Sequence, residues 1–165
     1  MRCVLPDSYP EISFDAFGIC RFCRNHHKLE LPGEQALLKK VSRHRGSDYD
    51  CLLGISGGKD SCYVAYLARK ALNLKALAVF YDFPFIKDLA RDNARRVCDS
   101  LGIELVVVKT TNNLEYKLLR NHLISLAGTG TTWGQCIFCH YGISGALYRI
   151  AKERKIQTIL SGTTS

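Results

Sequence analysis

Ser56-Gly57-Gly58-Lys59-Asp60-Ser61, entered from the apolar run Cys51-Leu52-Leu53-Gly54-Ile55, is the stretch that decides the fold. A short apolar run of this type predicts a buried strand, and the polar, glycine-bearing turn after it opens a helical pattern over 61–72. Two adjacent glycines permit positive φ and let backbone N–H groups approach an anion with no Cβ in the way. The helix that follows adds the positive end of its dipole. Ser56 and Ser61 offer hydroxyls to phosphate oxygens, Lys59 supplies a cation, and Asp60 is placed to hold Mg²⁺ or to orient the loop. A serine-capped strand-to-helix turn would account for a Gly-Gly pair alone. Two serines, a lysine and an aspartate at fixed places after a buried strand point instead to a phosphate site. The spacing is not Gly-x-x-x-x-Gly-Lys-Ser/Thr, which disfavours ordinary γ-phosphate hydrolysis.

Outward from the loop the same unit repeats. Strands are predicted over 49–55, 74–81, 103–108 and 156–160, and helices over 34–44, 61–72, 86–101, 111–127 and 141–154. Strands alternating with helices imply an α/β fold, a Rossmann-like parallel sheet with helices on both faces and ligands in the crevice at the strands' carboxyl ends. Residues 1–30 lack any sustained period and are rich in Cys, Pro, aromatic and basic residues, so they are read as a separate cysteine-rich, metal-binding module. Residues 31–165 are read as the nucleotide-binding domain, which is expected to continue past Ser165 because a strand comes directly before the last residues.

The 165 residues suffice for one main domain, and 47% hydrophobic with 23% charged residues is a globular balance. No apolar run has the length of a membrane span and the start lacks a secretory core, so the expected location is the cytoplasm, with no membrane partner. A net charge of +8 favours polyanions without naming one, and the basic clusters at 21–28, 39–45 and 91–96 fit solvated helix faces equally well. Eight cysteines in such a chain point to metal or sulfur chemistry rather than disulfides.

The loop resembles the PP-loop of the N-type ATP pyrophosphatases, a superfamily that includes GMP synthetase, tRNA thiolation enzymes and sugar amidotransferases. The resemblance implies adenylation: a substrate oxygen attacks the α-phosphate of ATP, pyrophosphate leaves, and a nitrogen or sulfur nucleophile displaces AMP. Carried over by position, Ser56, Gly57, Gly58, Lys59, Asp60 and Ser61 bind phosphate and its Mg²⁺, with Lys59 and Asp60 the catalytic pair. The end of the second strand lies near adenine in that superfamily, which here points to Phe80, Tyr81 and Asp82.

Cys3, Cys20 and Cys23, with His26, could complete a tetrahedral Zn²⁺ site, and so short a segment has little core without a metal. Free buried thiols with surface histidines are the alternative. Arg2 to Asp7, Glu11 to Asp15 and Gly18 to Cys23 resemble the opening of N-acetyl sugar amidotransferases, PP-loop enzymes of surface-polysaccharide synthesis. Those often carry one more cysteine just before the position of Cys3, absent here, which leaves the fourth ligand open. This resemblance implies a sugar or sugar-nucleotide acceptor, and with no glutaminase nucleophile pattern in the chain, ammonia from a glutaminase partner.

Gly134 to His140 carries a second pair, Cys136 and Cys139, expected on a loop before a helix. Three readings stand: ligation of a metal or iron–sulfur cluster, sulfur carriage as a persulfide, or a structural turn. Some tRNA-thiolating PP-loop enzymes hold a cluster with such a pair, so sulfur transfer to tRNA is the second functional reading. A nucleotide- or metal-binding module without catalysis is the third.

Overall fold

The computed structural model describes residues 4–28, 30–43, 48–110, 112–129 and 137–162, so Cys3 and Cys136 lie outside the described residues. Contacts divide the chain into two compact units, Met1–Gly33 and Glu34–Ser165.

In the larger unit the elements run α2 (Gly33–Ser42), β1 (Cys51–Gly54), α3 (Lys59–Tyr66), β2 (Ala76–Asp82), α4 (Asp88–Leu101), β3 (Glu104–Lys109), α5 (Leu114–Thr129), α6 (Ile137–Glu153) and β4 (Ile159–Leu160). The four strands form one sheet in the order β3-β2-β1-β4, every pair parallel. Leu52 sits opposite Leu77 on one side and Ile159 on the other. The order runs outward from β1 to β3 and then jumps back across β1 to β4, so the topology switches direction beside β1, where an open sheet places its ligand crevice.

Because successive side chains alternate, each strand feeds two cores. Cys51, Leu53, Ala78 and Phe80 pack with Ala65, Ala68, Ala94 and Cys98 on one face. Leu52, Leu77 and Val79 pack with Ala146, Ile150 and Ala151 on the other. Burial pushes the Cys51 thiol up to about 12 and the Cys98 thiol to about 11, keeping both neutral as core hydrophobes.

The structure moves three predicted boundaries. The helix after the loop starts at Lys59 rather than Ser61 and ends in a π-helical turn, Leu67–Ala71, closed by the Leu72 N–H on the Leu67 carbonyl at 2.9 Å. Asn112 and Asn113 take left-handed φ of 60° and 55°, so α5 begins only at Leu114. Helix α6 begins at Ile137 instead of Tyr141, which puts Cys139 inside the helix and not on a loop before it. Gly142 and Gly145 weaken helical propensity there, but Gly142 is needed: an added Cβ would stand 2.5 Å from the Tyr81 hydroxyl.

In the smaller unit, Phe14 bridges Cys20 in antiparallel fashion around a turn with Gly18 at φ 71°. The Asp15 carboxylate accepts from the N–H groups of Phe17 and Ile19, both at 2.9 Å. The one-turn helix α1 (Arg21–Arg24) follows, with Cys20 at its N-cap. Among the described residues, no helix is long and apolar enough to cross a membrane.

Candidate functional site

The loop leaves β1 at its carboxyl end, tied to the sheet by the Ile55 N–H on the Val79 carbonyl at 3.0 Å. Ser61, in the first turn of α3, knits it together. Its hydroxyl donates to the Gly58 carbonyl at 3.0 Å and accepts from the Ser56 N–H at 3.1 Å. The Ser56 and Ser61 hydroxyl oxygens lie 3.1 Å apart. The Ser61 side chain is thus committed to loop shape, whereas Ser56 stands exposed at the rim beside Gly58, whose N–H points at its oxygen over 3.4 Å. Helical geometry leaves the N–H groups at the start of α3 without intrahelical partners.

Gly57 has φ 76°, and a Cβ there would fall 2.1 Å from the Ala90 carbonyl oxygen, so the loop rests directly on the first turn of α4. Gly58 has an ordinary φ of −82° and open space, its nearest contact being the Ser56 hydroxyl at 3.4 Å. Only glycine fits at 57; at 58 glycine keeps the approach to the N–H groups clear. Asn93 of α4 donates to the Gly57 carbonyl at 3.4 Å. Lys59 and Asp60 are exposed, their charged atoms 3.7 Å apart, and free to turn toward a ligand. After β4 the chain returns to this place: a Cβ on Gly162 would sit 3.1 Å from the Asp60 carbonyl carbon.

The end of β2 divides its three residues by pleat. Phe80 is 3% exposed and belongs to the core, so only its backbone faces the crevice edge. Asp82 is held by Arg91 at 2.7 Å, with Lys109 at 3.9 Å. Tyr81 donates to Glu115 at 2.7 Å, and Thr110 donates to the other Glu115 oxygen. Burial and the Glu115 carboxylate push the Tyr81 phenol well above its ordinary range, so it stays protonated. Cys139 lies near enough that its charge would act on the same phenol. Tyr81, Phe83, Phe85 and Tyr116 continue outward as a chain of ring contacts, centroids 5.1–6.2 Å apart.

Ser56, Gly58, Lys59 and Asp60 are therefore exposed together at the carboxyl end of β1, with Ser61 turned into the loop and Gly57 against α4, while Tyr81 and Asp82 close the end of the neighbouring β2. His26 is exposed in the smaller unit, where Cys20 is buried and its sulfur accepts from the Cys23 N–H at 3.4 Å. Among the described residues no three His, Cys, Asp or Glu side chains gather to hold a metal. Sequence reasoning missed Asn93 and Glu115. Asn93 lies inside the basic 91–96 run that reads as a solvated face, although Arg91 there is paired and half-buried. Glu115 looks like an ordinary first-turn acid, and nothing local announces that it is 2% exposed.

The sequence profile of the NAD synthase family matches residues 33–123, just over half of the chain. The chain belongs to the NAD synthase family. It is thereby a member of the PP-loop ATP pyrophosphatase superfamily, as the loop predicts. An uncharacterized protein of Methanocaldococcus jannaschii is 26% identical over 153 residues, 92% of this chain and 50% of that protein. The glutamine-hydrolyzing GMP synthase of Chlamydia caviae is 29% identical over 85 residues, 52% of this chain and 17% of its own length. The chain thus spans half or less of the curated relatives it matches. Among solved structures, the NH3-dependent NAD synthetase of Campylobacter jejuni superposes with a TM-score of 0.58 at 21% identity, covering 79% of this chain and 53% of that one. The glutamine-dependent NAD+ synthetase of Acinetobacter baumannii, in complex with ADP, gives 0.56 at 15% identity over 93% and 30%. These likenesses establish the NAD synthase fold of the larger unit.

Proposed function

We propose that this chain carries the ATP site of an adenylating amidotransferase that releases pyrophosphate. The observation that supports it is the loop: Ser56, Gly58 and the Lys59 ammonium are exposed together at the topological switch, at the start of a helix. In the reaction, an acceptor carbonyl or amide oxygen attacks the α-phosphorus of ATP and the bond to the pyrophosphate oxygen breaks. Ammonia then adds to the activated carbon and AMP departs. Lys59 and the N–H groups of the loop stabilise the charge on the leaving pyrophosphate. Asp60, exposed and uncrowded, fits a Mg²⁺ ion, which would neutralise triphosphate charge.

The acceptor is an N-acetyl sugar or sugar nucleotide, a reading that rests on the Arg2 to Cys23 opening. Nitrogen comes from a glutaminase partner, since two relatives are named as glutamine-hydrolyzing or glutamine-dependent. Residues 1–30 form a zinc module through Cys3, Cys20, Cys23 and His26, and the Cys23 N–H on the Cys20 sulfur holds those two cysteines of the set together. The second reading, tRNA sulfur transfer, is favoured by one observation: Cys139 lies in α6 one turn before Gly142, the residue that packs on the Tyr81 hydroxyl at the end of β2. There it would act with Cys136, as ligands of a metal or iron–sulfur cluster or as a sulfur carrier.

Pyrophosphate release should require ATP, Mg²⁺, ammonium and an N-acetylated sugar nucleotide together, in a preparation containing about one zinc and no iron. Release stimulated by tRNA and sulfide instead, with iron lost on Cys139→Ser, would favour sulfur transfer. No release with any acceptor would leave a binding module.

A further inference from the structure

The peptide between Gly57 and Gly58 has its two polar ends bound on opposite sides. Its carbonyl oxygen accepts from the Asn93 side chain at 3.4 Å, and its N–H points to the Ser56 hydroxyl, also at 3.4 Å. No peptide among the described residues is cis, and in a planar trans peptide the C=O and N–H point in opposite directions. A donor that captures the carbonyl therefore dictates where the N–H goes. With glycine on both sides, the chain itself imposes little preference on that peptide, because neither residue has a Cβ to resist rotation of the intervening plane.

From this we infer that Asn93 is a positioning residue for phosphate. By holding the Gly57 carbonyl away from the exposed side of the loop, it keeps the Gly58 N–H beside the exposed Ser56 hydroxyl, where an arriving anion can take it over. A reversed peptide would put a carbonyl oxygen where phosphate oxygens are to bind, converting a donor into a repelling acceptor. The surrounding geometry fits this role. Asn93 is half-buried on α4, the helix whose Ala90 carbonyl already meets Gly57, and one turn of helix thus fixes both the height of the loop and the polarity of its central peptide. Arg91 of the same turn is engaged by Asp82 and Asp88, which anchors the turn to β2. The inference rests on the nucleotide reading above and adds to it the residue that sets the loop's donor pattern.

Aspartate at this position is the sharper probe, since an ionised carboxylate beside the Gly57 carbonyl favours the reversed peptide, whereas alanine only removes the donor. In the full chain, inorganic pyrophosphate is titrated by calorimetry into the parent, Asn93→Ala and Asn93→Asp, while the Gly57 carbonyl carbon and Gly58 amide resonances are followed by NMR. Expected are a roughly tenfold loss of affinity for Asn93→Ala and a larger one for Asn93→Asp, the size of one charge-assisted hydrogen bond or more. The Gly58 amide resonance should shift in both ligand-free variants, with thermal midpoints near the parent's. A purely structural role would instead lower the midpoint and leave affinity in the folded fraction unchanged. Variants that bind pyrophosphate as well as the parent, with Gly58 resonances unmoved, overturn the role of Asn93 alone. A folded parent that binds no pyrophosphate overturns the nucleotide reading and this inference together.

Discussion

Gly57→Ala is expected to destabilise the larger unit by about 3 kcal/mol or more, while Gly58→Ala leaves stability within about 0.5 kcal/mol. The two glycines are neighbours of the same composition, and the difference lies in what surrounds them. Alanine at 57 would have to hold φ near 76°, a left-handed conformation costing about 1–2 kcal/mol for a residue with a Cβ. It would also drive that Cβ to 2.1 Å from a backbone oxygen of α4, which cannot rotate aside as a side chain could. Either the loop lifts off α4 or the first turn of α4 unwinds; both remove packing from the loop. At 58 the φ is −82° and the nearest atom is a serine hydroxyl at 3.4 Å, so the fold tolerates the methyl. Urea unfolding of the two variants checks this, and equal stabilities would mean that the contact between loop and α4 is absent in solution.

Glu115→Ala should cost about 3 kcal/mol, and Glu115→Gln about 1 kcal/mol. The carboxylate is the one charged or polar residue classed as buried among the described residues, and it survives there for identifiable reasons. Both its oxygens accept hydroxyl hydrogen bonds, from Tyr81 and Thr110. It also occupies the first turn of α5, where the helix dipole favours negative charge. Alanine removes the acceptor for two partly buried hydroxyls and opens a cavity between β2, α5 and the Tyr81 ring. Glutamine keeps one acceptor oxygen. Thermal melts of both variants against the parent test the ordering, and an alanine variant as stable as the glutamine one would remove the network from the account.

The residues that revealed the fold were those whose signals are local. The apolar runs of β1 and β2, the glycine loop and the Gly102 stop of α4 each carry their reason within a few residues, Gly102 at φ 62° being the left-handed cap its position predicts. The start of α6 was not legible, because the Cys-x-x-Cys stretch up to His140 reads as a loop, whereas the helix already runs from Ile137. The loop residues of the site were visible for the same local reason. Asn93 and Glu115 were not, since their roles arise from partners across the fold, at Gly57 and at Tyr81. For Phe80, Tyr81 and Asp82 the family resemblance pointed to the end of β2, but only the pleat shows that Phe80 turns its side chain into the core.

If the Ser56 to Ser61 loop binds the phosphates of ATP, as proposed, Lys59 is the cation whose removal weakens that binding without touching the fold. Calorimetric titration of Mg·ATP, with adenosine as control, into the folded parent and Lys59→Ala decides this. Lys59 is 92% exposed, so its removal should leave the fold intact while taking a cation from the triphosphate. Saturable ATP binding by the parent is expected, weakened at least roughly tenfold in Lys59→Ala with adenosine binding unchanged. Equal ATP affinity in the two folded proteins, or none in the parent, would contradict the proposal.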